Sequence, residues 1–257
     1  MERTLSAKRS VLLTNDDGIT GDGLRALEEA LSAVADVYVL APAADCSAVS
    51  SCLTMNRPVR LTAFSPRRCA LDANPVDCVI TALRSDLFAG VRFDAVFSGI
   101  NRGPNLGTDI VYSGTVAAAR QAALYGLPAV ALSLDSRDGS WRYAALASFA
   151  ARNMERLCAL CDRRGESHTF VNVNAASADT YTDVVYSPLC RRNYRDRVAV
   201  VEAPDGRRYG FFLGGDIQSC GDSANDYDTV TGGAVAVSLL RAEPFAEPEP
   251  EHFSFLL

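Results

Sequence analysis

The sequence predicts an α/β fold in which helices cover both faces of a mostly parallel sheet, with a β-rich arm added toward the C-terminal end. From Ser10 to Asp135, short β-branched runs alternate with longer stretches of helical periodicity, which implies parallel strands joined by right-handed crossovers. Beyond residue 176 the pattern changes to β-segments separated by Gly- and Pro-containing turns. A chain of 257 residues, 48% hydrophobic and 22% charged, can bury one large core. The expectation is a single Rossmann-like domain over residues 1–257: an α/β core at about 9–175, the arm and a closing strand at about 176–241, and a tail at 242–257.

The elements follow in order. "SVLLT" is the first strand, and in "DGLRALEEALSAVA" Leu24, Leu27, Leu31 and Val34 share one helical face, with Asp22 as N-cap. "DVYVLAP" is a second strand, followed by a Ser- and Cys-rich loop and an extended stretch from Leu53 to about Phe64. "NPVDCVITALRSDLF" reads as a helix with Asn74 as N-cap and Pro75 at its first position. "FDAVFSGI" is a strand, "SGTVAAARQAALYG" a helix closed by Gly126, and "PAVALSL" a strand. A helix from about Trp141 to Arg163, its start anchored in the core by Trp141, leads to the strand "TFVNVN". "TDVVYSP", "DRVAVVEAPDGRRYGFFLGGD" and "GAVAVSLL" are β-segments, with turns at Pro204-Asp205-Gly206 and Gly214-Gly215. "AEPFAEPEPEHF" is too rich in Pro and Glu to pack as a helix or central strand and is expected to be a loose tail.

Composition removes several kinds of chemistry. A net charge of -6 argues against a general affinity for nucleic acid, which needs a basic face. No apolar run is long enough to span a membrane, and "MERTLSAKRS" lacks the apolar core of a signal peptide, so the expected location is the cytoplasm. Cys158 and Cys161 form a C-x-x-C without a second pair or a nearby His, and buried thiols are expected there rather than a zinc site. Histidine occurs only at 168, at a strand edge, and at 252, in the tail; lysine occurs only at position 8. A Ser-His-Asp triad, a His-ligated metal, a P-loop lysine and a Schiff-base lysine therefore lack their parts. Carboxylates, amides, hydroxyls and metal ions must carry any catalysis.

In open parallel sheets ligands bind at the carboxyl ends of the strands. "TNDDG", "APAADCSAVSS" and "SGINRGPNLGTDIVYSGT" all follow predicted strands. Asp16 and Asp17 repel one another unless a cation lies between them, and Mg²⁺ or Mn²⁺ would take these oxygens with a hydroxyl and an amide carbonyl. Asn-Asp-Asp-Gly also suits a plain turn, and the pair alone does not separate the two readings. The third cluster has four Gly and two Asn before a helix beginning at Ser113-Gly114-Thr115, which makes an anion site, or else a long loop with Ser113 as an ordinary N-cap.

"LLTNDDG", "AP" followed after four residues by Ser47, "SGINRGPNLGTDIVYSGTVAA", "YGLPAVALSL" and "VNVN" together resemble the SurE family, the survival-protein-E nucleotidases. "SPLCRRNYRDRV" and "NDYDTVTGGAVAVSLL" resemble its later blocks. The resemblance implies a divalent-metal phosphohydrolase acting on nucleoside 5′- and 3′-monophosphates, with one ion per subunit and an arm exchanged within a homodimer or homotetramer. It places the metal ligands at Asp16, Asp17, Ser47 and Asn101. The chain departs from the family at Ala73-Asn74-Pro75, where Gly-Thr-Pro is common, and at the Gly-Ala opening its last strand, where Gly-Tyr is usual.

On this reading the ion activates a water for in-line attack on phosphorus, while Asn105, Ser113, Gly114 and Thr115 cradle the phosphate oxygens. Asp16 and Asp17 are the catalytic pair, with Asp17 orienting the water. A receiver-type domain and a haloacid-dehalogenase-like phosphatase both need a lysine this chain lacks. A dinucleotide binder needs G-x-G-x-x-G after the first strand; a nucleotide- or phosphate-binding α/β protein without turnover is the remaining alternative. The charge run "CRRNYRDR" reads as a solvated or subunit-facing surface, and Asp216, Asp222, Asp226 and Asp228 as turn residues.

Overall fold

Val11, Leu12 and Leu13 are all fully buried, so strand β1 (Ser10–Thr14) is covered on both faces, as the absence of polar alternation in "SVLLT" requires. In this computed structural model, which describes residues 8–161, 168–220 and 224–244, β1 lies within a nine-stranded sheet. Its parallel centre contains β2 (Asp36–Pro42), β1, β5 (Ala95–Arg102), β6 (Ala129–Asp135) and β7 (Thr169–Ala176), in the order β2-β1-β5-β6-β7. Outside β2 lie β4 (Arg68–Leu71), parallel to it, and then β3 (Leu61–Ser65), antiparallel to β4. Beyond β7 lie β13 (Val235–Arg241), antiparallel to β7, and β8 (Val184–Tyr186), parallel to β13.

Helices α1 (Asp22–Ser32), α4 (Ala144–Arg152) and α5 (Met154–Leu160) cover one face; α2 (Pro75–Arg84) and α3 (Gly114–Leu124) cover the other. Leu24, Leu27 and Leu31 of α1 are fully buried, each contributing about 2 kcal/mol of apolar transfer energy. The helix ends at Ser32, so Val34 is 40% exposed; the N-cap is Gly21, and Asp22 inside the first turn pairs with Arg25 at 2.6 Å instead. Asn74 and Pro75 begin α2 as expected, with the Asp77 carboxylate accepting the Asn74 N–H at 3.0 Å. That helix stops at Arg84, short of the predicted "SDLF".

Three elements depart from expectation. Only Leu61–Ser65 of the extended stretch is a strand, and its hairpin partner β4 hides its pattern behind Arg67 and Arg68. The helix predicted from Trp141 breaks at Asn153 into α4 and α5, and Trp141 precedes it in the loop; Arg163 lies outside the described residues. A short helix α6 (Asp226–Thr231) stands where Asp226 and Asp228 read as turn residues, started by the Asn225 side chain accepting from the Asp228 N–H at 3.1 Å. Asp222 lies outside the described residues.

The arm consists of β9 (Arg191–Tyr194) paired with β12 (Ile217–Cys220), and a ribbon of β10 (Arg197–Glu202) and β11 (Arg208–Gly214), all antiparallel. The tail is anchored at its start: Ala242 is buried, its N–H donates to the His168 carbonyl at 2.9 Å, and Glu243 takes both the His168 ring and its N–H. His168 is thus a strand-edge partner, as read, and the rest of the tail, His252 included, lies outside the described residues. Cys158 and Cys161 are buried in the core.

Candidate active site at the ends of the central strands

The sheet order reverses direction at β1: β2 lies on one side and β5 on the other, and a crevice opens above their carboxyl ends. Asp16 and Asp17 leave β1 at this point, and Asn101 sits at the end of β5. The pairing of β5 with β6 slips between Ser98 and Asn101, where Gly99 has φ +133° and lies so close to the Leu132 carbonyl that a Cβ would stand 2.3 Å from it. Only glycine permits this bend.

Asp16 is 4% exposed. Its Oδ2 accepts the Thr115 N–H at 2.9 Å and its Oδ1 the Thr115 hydroxyl, so the N-terminus of α3 holds the carboxylate. Gly114 makes room for this: a Cβ there would stand 3.0 Å from the Asp16 Cβ. Burial pushes the Asp16 carboxyl above its ordinary range, opposed by the Thr115 donors. Burial likewise pushes Asp17 up to about 6; the Arg102 N–H at 2.9 Å opposes it, and the charges of Asp16 and Asp45 add to it. Two carboxylates forced together with raised pKa values make a site that a cation would relieve.

Asp16, Ser47, Asn101, Asn105 and Ser113 line one cleft of about 280 Å³. Asp17 opens into a neighbouring cleft with Asp45, and Arg102 lines both. Ser47 is held by Asp45, which accepts its N–H at 2.7 Å and its hydroxyl at 2.6 Å, leaving the hydroxyl lone pairs free. Asn101 spends its amide nitrogen on the Gly103 carbonyl at 2.8 Å, leaving Oδ1 available. Among the described residues no three His, Cys, Asp or Glu side chains gather as a metal site. The oxygen set of Asp16, Asp17, Ser47 and Asn101 contains only two such residues, and its hard donors fit Mg²⁺ or Mn²⁺.

The four residues expected around phosphate take different places. Ser113 caps α3, accepting the Val116 N–H at 3.0 Å, and lines the cleft with Asn105. The Asn105 N–H donates to Asn174 at 2.8 Å and its amide to Ser133 at 2.7 Å, while its carbonyl accepts from Asn172 and Asn174 at 3.0 Å. Gly114 is buried against Asp16. Thr115 is fully buried with both donors on Asp16, so it orients the carboxylate and is not a wall of the cleft.

Sequence reading missed Asp45, Asp109, Tyr194 and Asp226. The D-x-S spacing of Asp45 and Ser47 is a turn signal that could have found the first. Asp109 lines the cleft, ion-pairs with Arg192 at 2.9 Å and accepts from the Tyr194 hydroxyl at 2.5 Å, so the charge run turns inward at these two residues. Fully buried Asp226 accepts the N–H groups of Gly107, Cys190 and Tyr227 at 2.7 to 2.9 Å and ties the glycine-rich loop to the C-terminal segment. Nothing in local spacing announces that long-range role.

Comparison with known proteins agrees with this architecture. The family described as Survival protein SurE matches residues 11–196. A protein named 5′-nucleotidase SurE from Geotalea uraniireducens (strain Rf4) is 38% identical over 236 residues, covering 91% of this chain and 93% of that one. One of the same name from Treponema pallidum (strain Nichols) is 46% identical over 184 residues, covering 69% of this chain and 95% of that one. The crystal structure of SurE from Aquifex aeolicus has a TM-score of 0.77 at 30% identity, covering 91% of this chain and 94% of its own. With the strand-end acids, the glycine-rich loop and the α3 N-terminus all within the matched span, this chain belongs to the SurE family.

Proposed function

We propose that this chain is a divalent-metal-dependent 5′-nucleotidase that releases phosphate from nucleoside 5′-monophosphates and also from 3′-monophosphates. The observation that carries the reading is the pair Asp16 and Asp17 at the sheet's reversal point, beside the cleft that holds Ser47, Asn101 and the α3 N-terminus. Relatives named 5′-nucleotidase support it.

Asp16, Asp17, Ser47 and Asn101 would hold one Mg²⁺ or Mn²⁺ per subunit. When bound, such an ion supplies Lewis acidity at a phosphoryl oxygen and at an attacking water. Thr115 orients Asp16 and opposes the rise that burial imposes on its carboxyl. Asp17, anchored through one oxygen to the Arg102 N–H, has its other oxygen to align the water. Ser113 and Asn105, which line the cleft, receive the phosphate, while Gly114 and Thr115 at the start of α3 hold Asp16 beside it.

The protein is proposed to work in the cytoplasm as a homodimer or homotetramer with exchanged arms. No helix among the described residues is long and apolar enough to cross a membrane. The ribbon side chains Val200, Phe211 and Phe212 are more than half exposed, which supports a partner surface there.

The test is a phosphate-release panel of nucleoside 5′- and 3′-monophosphates with Mg²⁺, Mn²⁺ or EDTA. Release that is strongest on the monophosphates and lost in EDTA is expected. Activity indifferent to EDTA removes the metal from the reading, and nucleotide binding without release favours a binding protein.

A further inference from the structure

The cleft adjoining the proposed metal site has a different character. It holds about 320 Å³ and is walled by Asp17, Asp22, Asp45, Arg102, Trp141 and Tyr143. Trp141 and Tyr143 stack with their rings 16° from parallel and centroids 6.3 Å apart, and the Arg102 Cζ lies 5.3 Å from the centre of the Trp141 ring. Tyr143 is 9% exposed and belongs to the core, so the stack rests on a fixed base.

The loop that presents Trp141 is tied on both sides. Before it, the Asp138 carboxylate accepts the Ser140 N–H at 2.9 Å and hydroxyl at 2.6 Å, and the Ser136 hydroxyl donates to the Ser140 carbonyl at 2.5 Å. After it, the Arg142 N–H donates to Ser177 at 2.9 Å. The indole is therefore held at the mouth of the cleft rather than left on a free loop.

The chemistry of the walls selects the guest. Asp22 and Asp45, the two carboxylates outside the proposed ligand set, disfavour a phosphate here and leave it to the cleft of Ser113 and Asn105, yet they accept hydrogen bonds from hydroxyl and amino groups. An aromatic face now covered by a planar guanidinium is a surface on which a planar base also stacks. Arg102 lines both clefts, so a base that displaced it from Trp141 would leave its charge beside the phosphate.

We propose that this second cleft is the nucleoside subsite: the base stacks on Trp141 in the place of the Arg102 guanidinium, the sugar and amino donors meet Asp22 and Asp45, and Trp141 determines the preference for nucleotides over base-free phosphate esters. The proposal rests on the nucleoside-monophosphate reading of the neighbouring site.

Trp141 is the chain's one tryptophan, so emission excited at wavelengths that tyrosine does not absorb reports this cleft alone. Adenosine, which carries no phosphate, titrated into the full chain in EDTA should quench the emission saturably, and ribose 5-phosphate should not. In parallel, the ratio of kcat/KM for AMP to that for ribose 5-phosphate should fall about tenfold in Trp141→Ala and recover in Trp141→Phe, which keeps a stacking ring. A ratio unchanged in Trp141→Ala overturns the subsite whatever the fluorescence does. If no monophosphate is hydrolysed at all, the nucleotidase reading falls by itself, and the adenosine titration alone decides: saturable quenching supports the subsite and its absence overturns it.

Discussion

The rim of the central strands and the β10–β11 ribbon handle their side chains in opposite ways. At the rim, polar groups are buried and held by specific partners: Asp16 by Thr115, Asn105 by Ser133 and three backbone or amide contacts, Asp226 by three N–H groups. In the ribbon, apolar groups are exposed, Phe212 at 86%. The rim's polar groups hold one another in place, whereas the ribbon is a surface whose apolar side chains meet water and gain only by meeting another protein. The contrast breaks if the rim tolerates substitution or if the ribbon turns out to support the fold.

The largest effect is expected at Asp17. Asp17→Asn keeps the shape and the contact with Arg102 but removes a charge from the proposed ligand set, so phosphate release should drop more than about 100-fold at matched Mn²⁺. Full activity in that variant would remove Asp17 from both of its roles. Next comes Asp226→Ala, which leaves the N–H groups of Gly107, Cys190 and Tyr227 without their acceptor in a buried place. A stability loss of about 3 kcal/mol in urea unfolding is expected. A loss under about 1 kcal/mol would mean that the glycine-rich loop holds itself.

How far these features were legible depends on the distance over which each is determined. The central strands, α1 and α3 declare themselves through runs such as "SVLLT" and through caps such as Ser113, because both are local patterns. The acids of β1 could be read as metal ligands because they stand next to one another and the chain has so little His and Lys. The partner of Thr115 was not legible for the opposite reason. The Thr115 donors face a carboxylate 99 residues away, and a helix N-terminus reads the same whether its anion is a substrate or a side chain of the same protein. Trp141 packs against the core, as read, but one aromatic residue carries no sign that its other face lines a cleft. Strand β4 escaped because Arg67 and Arg68 stand directly ahead of only three buried residues, Cys69 to Leu71.

A smaller effect concerns pH. Asp17 titrates near 6 in the metal-free protein because burial disfavours its charge, so above that value the carboxylate is already formed and below it a proton must be displaced. Mn²⁺ affinity measured by calorimetry should therefore be level above about pH 7 and weaken by about tenfold per unit as the pH falls below 6, for one displaced proton. A flat affinity down to pH of about 4.5 would mean that Asp17 is not a ligand. Asp17→Asn should remove the dependence that belongs to this group.

The smallest effect on the chain itself is expected in the ribbon, and that smallness is the point. Phe211 and Phe212 are neighbours on one strand and so face opposite sides of the ribbon, and both are more than half exposed; neither side is packed on the sheet. Replacing both by Ser removes little that the single chain buries, so its unfolding free energy at low concentration should shift by no more than about 0.5 kcal/mol. The same change removes two large apolar groups from the proposed contact between subunits, so mass by light scattering should fall toward the monomer. An oligomer that survives the double substitution would place the subunit contact elsewhere. A monomer that unfolds would show that the ribbon serves the fold, and the division between a rim held by its own polar contacts and a partner-seeking arm would have to be withdrawn.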